Sequence, residues 1–381
     1  MTRLQPASVV ISRPFRHVLA ILLLAGAAVA GDASATTYHI VELPLPALSP
    51  NGAAADINAV GDIVGFATDR NFERYAAVVW RAPDYSLRVL PQGAATGGTT
   101  AARINDRGII IGGGYFPDAA PYSDPVMWKR DGTLVRLKKW SGAQNGVVFN
   151  GAALGINNRS IIVGAVTGKR ASRPAIWLGP QTVHWLGSAG GNPVSGEANA
   201  VNDSGIVVGT DRGGPEIGRA VRWTSNGGMQ ELGDLPGGSN DSFASDVNES
   251  NQIVGTGSSE HGRRAVMWDP DGSVLDLGEV SGGENLSYSA TNINNLGDVV
   301  GSTYDYETGV SQGFLWTAGT GMMRIVDLVD PADPLHPLIE AGASIYAYEI
   351  NDAGIIVGVL ETVDPQDSTL SQVPIALMPQ P

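Results

Sequence analysis

Ile57-Asn58-Ala59-Val60-Gly61-Asp62-Ile63-Val64-Gly65 is the first of seven versions of one phrase. It returns as INDRGIIIG from Ile104, INNRSIIVG from Ile156, VNDSGIVVG from Val201, VNESNQIVG from Val247, INNLGDVVG from Ile293 and INDAGIIVG from Ile350. The leading asparagines stand at 58, 105, 157, 202, 248, 294 and 351. A second phrase follows in six of the units and ends at Trp80, Trp128, Trp177, Trp223, Trp268 or Trp316. A third closes each of those units: LRVLPQG from Leu87, LVRLKKWSG from Leu134, TVHWLGSAGG from Thr182, MQELGDLPGG from Met229, VLDLGEVSGG from Val274 and MMRIVDLVD from Met322.

Each unit thus holds four short apolar or alternating runs, split by Gly, Asn, Asp and Pro clusters, and such runs read as strands, here a to d. A period of roughly 50 residues with four strands is the mark of a propeller blade. The expected fold is all-β: a seven-bladed β-propeller of four-stranded blades in one domain, 36–381. Its blades are expected at 47–96, 97–145, 146–191, 192–238, 239–283, 284–331 and 332–381, the last completed by 37–46. Tyr38-His39-Ile40-Val41-Glu42-Leu43 matches a d strand, and the last unit stops after strand c at Pro374 to Met378. The N-terminal strand is therefore expected to join the last blade and leave no open edge. In Asn-x-x-Gly, the Asn side chain is read as capping the a–b turn and the Gly as taking positive φ.

The set of repeats resembles the bacterial extracellular HAF-repeat family, named for a His-Ala-Phe triplet before Leu-Trp. The resemblance spans Tyr38 to Pro381 and implies a secreted, propeller-like repeat protein without assigning an activity. At the place of the triplet's His, this chain has Arg173, Arg219, Arg264 or Gln312.

Residues 1–35 read as a signal peptide: Arg3, Arg13 and Arg16 precede an apolar run from Val18 to Ala30, with small-residue cleavage sites at Ala28-Val29-Ala30 and Ala33-Ser34-Ala35. That run is too short to cross a hydrocarbon core of about 30 Å as a helix. The product is expected outside the cytoplasm, secreted or periplasmic, without a membrane span. Zero Cys excludes disulfides, thiolate nucleophiles and Cys-ligated metals. A net charge of −14 argues against general nucleic-acid binding. His39, His184, His261 and His336 have no metal-ligand spacing, the glycine runs open no P-loop, and no Gly-x-Ser-x-Gly elbow occurs. No cofactor or metal is expected, and the chain is expected to be a monomer.

Charge is uneven. Lys169, Arg170, Arg173, Arg212, Arg219, Arg263 and Arg264 are a third of the basic residues beyond position 35, gathered in the b–c connections of blades 3 to 5. Arg173, Arg219 and Arg264 each stand four positions before a strand-c Trp, hence at equivalent places. Those seven residues with His261 form the expected ligand site, a cationic arc suited to a carboxylate- or sulfate-bearing glycan or a protein. Asp211, Glu216 and Glu260 are near enough in sequence to neutralise it. The leading functional expectation is a secreted binding module; the alternative is an enzyme, a lyase or hydrolase, degrading acidic polysaccharide, with His261, Arg263 and Arg264 beside Tyr304 or Tyr306. Six strand-c tryptophans are expected in inter-blade packing, and Trp140 and Trp185 partly exposed.

Overall fold

The computed structural model describes residues 36–118, 123–139, 148–168, 172–187, 195–213, 218–224, 228–364, 366 and 368–380; the segment 1–35 and Trp140 lie outside them. Among the described residues, twenty-eight strands form seven antiparallel four-stranded sheets, each in the order a-b-c-d. Strand b reads Ile-Val-Gly rather than alternating because neighbouring blades cover both faces of each sheet. Ile63, Val64, Ile110, Ile111, Val299 and Val300 are all buried.

Closure follows the expected scheme. The N-terminal strand Tyr38–Glu42 pairs with Leu370–Pro379, the c strand of blade 7, and supplies that blade's fourth strand. Its outer edge is covered by a segment that makes the step from Asn294 to Asn351 the longest of the six repeat spacings. Between strand d of blade 6 (Gly321–Arg324) and strand a of blade 7 (Ser344–Ile350), the chain makes a 3-10 turn at Ile325–Leu328 and a helical turn at His336–Glu340. Val329 bridges Tyr38, and the buried Asp333 carboxylate accepts the Ile40 amide at 2.8 Å and lies 2.6 Å from His39 Nδ1. An edge that would otherwise invite another strand is thereby blocked.

One device recurs in all seven blades. The a–b register slips by one position just after an alanine: Ala54, Ala101, Ala153, Ala198, Ala244, Ala290 and Ala347. Opposite each alanine stands the glycine of Ile-Val-Gly, where an added Cβ would meet a strand-a carbonyl oxygen at 1.8–2.2 Å. The bulge needs that close approach, so the glycine is sterically required. It is a different glycine from the one in the a–b turn, which takes positive φ in five blades, with Ser160 and Asn251 doing so in the other two.

The tryptophans act as inter-blade staples. Trp80, Trp128, Trp177, Trp223 and Trp268 are buried, and each indole N–H donates to a carbonyl of the preceding blade, at Pro44, Pro91, Lys138, Gly187 and Gly233 respectively. Trp316 is only half-buried.

Candidate functional site

The two faces of the propeller are built differently. On the face of the a–b turns, the motif asparagines form a closed ring around the axis. Each Oδ1 accepts the amide four positions on, as Asn58 does from Asp62 and Asn202 from Ile206. Each Nδ2 donates to the carbonyl of the next blade's Asn, from Asn58 to Asn105 and onward through 157, 202, 248, 294 and 351 back to Asn58, at 2.9–3.4 Å. Turn capping was legible in the spacing; the inter-blade bond was not. A second tier runs outside it: Asp106, Asn158, Asp203, Glu249, Asn295 and Asp352 each accept the preceding blade's backbone amide at 2.7–2.9 Å. It stops at blade 1, where Ala59 has no side-chain acceptor.

Inside these rings lies an axial cavity of about 210 Å³. The residue before each Ile/Val-Asn lines it: Asp56, Arg103, Gly155, Ala200, Asp246, Asn292 and Glu349. Burial pushes the Asp56 carboxyl up to about 6, although Arg103 and the amides of Ile104 and Ile57 pull it down. Burial likewise raises Asp246, and it raises Glu349 well above the usual carboxylate range, with Asp56 adding repulsion. Burial works against the charge of Arg103, but Glu349, Asp56 and Asp246 outweigh it. Asp56 accepts the Ile57 and Ile104 amides, Asp246 those of Asn292 Nδ2 and Ile293, and Asn292 Oδ1 that of Ile350. These polar groups bind blade to blade, and the cavity reads as the hub of the ring.

The opposite face, with the b–c and d–a connections, carries the arc. Lys169 and Arg170 lie outside the described residues. Arg173, Arg219, Arg263 and Arg264 sit on strand c rather than in loops, on Ser172–Gly179, Arg219–Trp223 and Gly262–Trp268. In the equivalent row, the heads of Arg219 and Arg264 are taken up by carboxylates. Arg264, 6% exposed, pairs with Asp276 at 3.1 Å and with Glu279, over the Tyr288 ring. Arg219 pairs with Asp211 at 2.9 Å and with Glu231. Arg173 lies 5.2 Å over the ring of Trp185, which is half-buried. Blade 2 makes the same c–d clamp with polarity reversed: Asp124, four positions before Trp128, pairs with Arg136 of strand d. The neutralising carboxylates come mostly from strand d and the turn just after it. Asp211 acts as expected, while Glu216 lies outside the described residues. His261 is exposed and 3.5 Å from Glu260.

Arg212 and Arg263 behave otherwise. Their guanidinium carbons lie 5.8 and 5.5 Å from the centre of one ring, Phe243, and both heads reach solvent. Arg212 is paired with Glu197 at 3.2 Å and Arg263 with Asp241 at 2.9 Å. Beside Arg263, between blades 5 and 6, opens a second cavity of about 190 Å³. It is lined by Thr256, Ser287, Tyr288, Ser289, Ser302, Tyr304 and Tyr306 with Arg263. The expected meeting of Arg263 with Tyr304 and Tyr306 is present here; His261 is not among the lining residues, and Arg264 turns to strand d. Among the described residues, no group of three His, Cys, Asp or Glu is placed to hold a metal, and no helix is long and apolar enough to cross a membrane.

No protein-family model matches the chain, and no curated protein matches it. Solved structures resemble it at low identity. A prolyl endopeptidase aligns with a TM-score of 0.55 and 10% identity, covering 91% of this chain and 51% of its own. The β-propeller domain of the Trilobed protease from Pyrococcus furiosus aligns at 0.51 and 13%, covering 84% and 97%. The extracellular domain of a one-component system from B. thetaiotaomicron aligns at 0.49 and 9%, covering 89% of this chain. The chain spans 39% of the length of that domain and about half of the endopeptidase. At such identities the likeness is one of fold: this chain is similar to propellers.

Proposed function

We propose that the protein is an exported binding propeller that holds an anionic glycan on the face of the b–c and d–a connections. The observation that carries this reading is the row Arg212–Phe243–Arg263, two half-exposed guanidinium groups flanking one ring on an otherwise acidic body. Guanidinium pairs favour carboxylate and sulfate through forked hydrogen bonds, which suits a polymer with a repeating anion. Export through residues 1–35 and the HAF resemblance agree with a ligand met outside the cytoplasm. The arginines of the c–d clamps, Arg219 and Arg264, hold the blades that carry the site.

The test is retention of the protein lacking residues 1–35 on immobilised polygalacturonate across a salt series. Binding is expected at low salt and should weaken as salt rises, since at ~0.15 M screening acts over ~8 Å. Changing Arg212 and Arg263 together to Ala should abolish it, whereas changing Arg70 and Arg88 of blade 1, the same loss of charge, should not. Equal effects of the two double variants would defeat the reading.

A further inference from the structure

Two neighbouring inter-blade gaps on the proposed binding face are built from equivalent repeat positions. Phe243 and Ser289 occupy the same place, each immediately before the alanine that faces the strand-b glycine. Gly218 and Arg263 are likewise equivalent, each just before the clamp arginine of strand c. Between blades 4 and 5, Phe243 lies so close to Gly218 that a Cβ there would meet its ring at 2.8 Å. Between blades 5 and 6 the pair is exchanged: Arg263 replaces the glycine and Ser289 replaces the phenylalanine. The exchange withholds the filling ring, and the cavity of about 190 Å³ occupies that gap.

What lines the cavity has a consistent chemistry. Thr256 Oγ1 and Ser289 Oγ lie 2.7 Å apart, and Ser287 and Ser302 add two more hydroxyls. Tyr304 and Tyr306 meet edge to face, with centroids 4.9 Å apart and planes at 85°, and Tyr306 is 69% exposed. Among the described residues the hydrogen bond of the Arg263 guanidinium is from Nη2 to Asp241. A guanidinium has five donors, so that contact orients the head and leaves capacity for an anion. Asp241 is itself buried, with Oδ1 unpartnered among the described residues, and it fixes the head from below.

We infer that this cavity is a subsite for one carboxylate-bearing sugar ring. The carboxylate meets Arg263, the sugar hydroxyls meet the Ser and Thr hydroxyls, and an apolar sugar face lies on the exposed Tyr306 ring. The volume suits a single ring, being well below the ~300–1,000 Å³ of pockets for drug-sized ligands. This rests on the reading of the face as an anionic-glycan site and names the unit recognised there.

The experiment is calorimetric titration of the protein lacking residues 1–35 with trigalacturonate and with neutral trigalactose, beside the polygalacturonate retention assay. Trigalacturonate should bind and trigalactose should not. Ser289→Phe, which copies the protein's own neighbouring gap, should abolish trigalacturonate binding. Tyr306→Ala should weaken it at least about fivefold, the scale of a truncated contact residue. Melting temperatures check that both variants fold, and Tyr306 is exposed enough that its truncation leaves the core untouched. Retention on polygalacturonate that survives both changes unaltered would overturn the subsite while leaving the anionic face intact. Equal binding of trigalactose would overturn the carboxylate specificity. Failure of wild type to bind the polymer would overturn the face and the subsite with it.

Discussion

The face of the a–b turns and the face of the b–c and d–a connections are made from the same seven repeats, yet they differ in what is constant. On the first, Asn, the bulge alanine and its opposing glycine recur in every blade and are committed to holding blades together. On the second, equivalent places hold different residues: Ala53, Thr100, Ala152, Glu197, Phe243, Ser289 and Tyr346 all precede the bulge alanine. In a repeat protein, recurrence marks mechanics and departure marks a site. The axial cavity has a richer chemistry than the cavity between blades 5 and 6, with three carboxylates and a half-buried arginine, but its Asp56 and Asp246 are committed to the amides of the next blade.

Breaking the constant face should cost most. Gly255→Ala puts a Cβ 1.9 Å from the Phe243 carbonyl oxygen, and a loss of about 3–5 kcal/mol or failure to fold is expected in denaturant titration. Asn202→Ala removes both the turn cap and the bond to blade 5 and should cost about 2–3 kcal/mol by the same titration.

The hub should respond to pH. Asp56 rises from its ordinary 3.8 to about 6, and Asp246 and Glu349 rise too, so the folded chain keeps protons that the unfolded chain releases. Their contribution is fully present below the ordinary carboxylate range and is lost as pH rises through each raised value, about 6 for Asp56. Asp118, Asp131, Asp271 and Asp305 are held below the usual range by hydrogen bonds they accept, and their contribution is lost only on further acidification. The hub's contribution to stability should therefore decline as pH rises. Glu349→Gln should flatten that decline, because it removes one of the raised carboxyls; an unchanged slope would show that the hub does not titrate.

The smallest effect is expected at the seam between blades 7 and 1. There the Asn ring has its longest bond, 3.4 Å, and the outer tier is missing at Ala59. Ala59→Asn, copying Asn158 and Asn295, should supply an acceptor for the Asp352 amide and stabilise by about 0.5–1 kcal/mol. Loss of stability would show that the seam geometry differs from the other six.

The blade number, the strands, the closure and the turns were legible because each is a spacing within one unit. The hub was not, since the residue before Ile/Val-Asn changes from Asp to Arg, Gly, Ala, Asn or Glu and its pattern is visible only once the bulge aims it at the axis. The partners of Arg219 and Arg264 were missed for a related reason. The carboxylates nearest in sequence stand in adjacent loops, but pairing of strands c and d brings Glu231 and Asp276 beside them from the following strand. Asp333 and the N-terminal strand stand near opposite ends of the chain, and only the closed ring joins them.

Hydrogen exchange with and without trigalacturonate tests most directly whether the variable face is the one that binds. Added protection is predicted at Arg212–Gly213, at 241–243, at Gly262–Arg264 and at 287–289 and 304–306, with the amides of the seven a–b turns unchanged. Protection centred on Asn58, Asn105 and the other axial asparagines, or none on either face, would contradict the account.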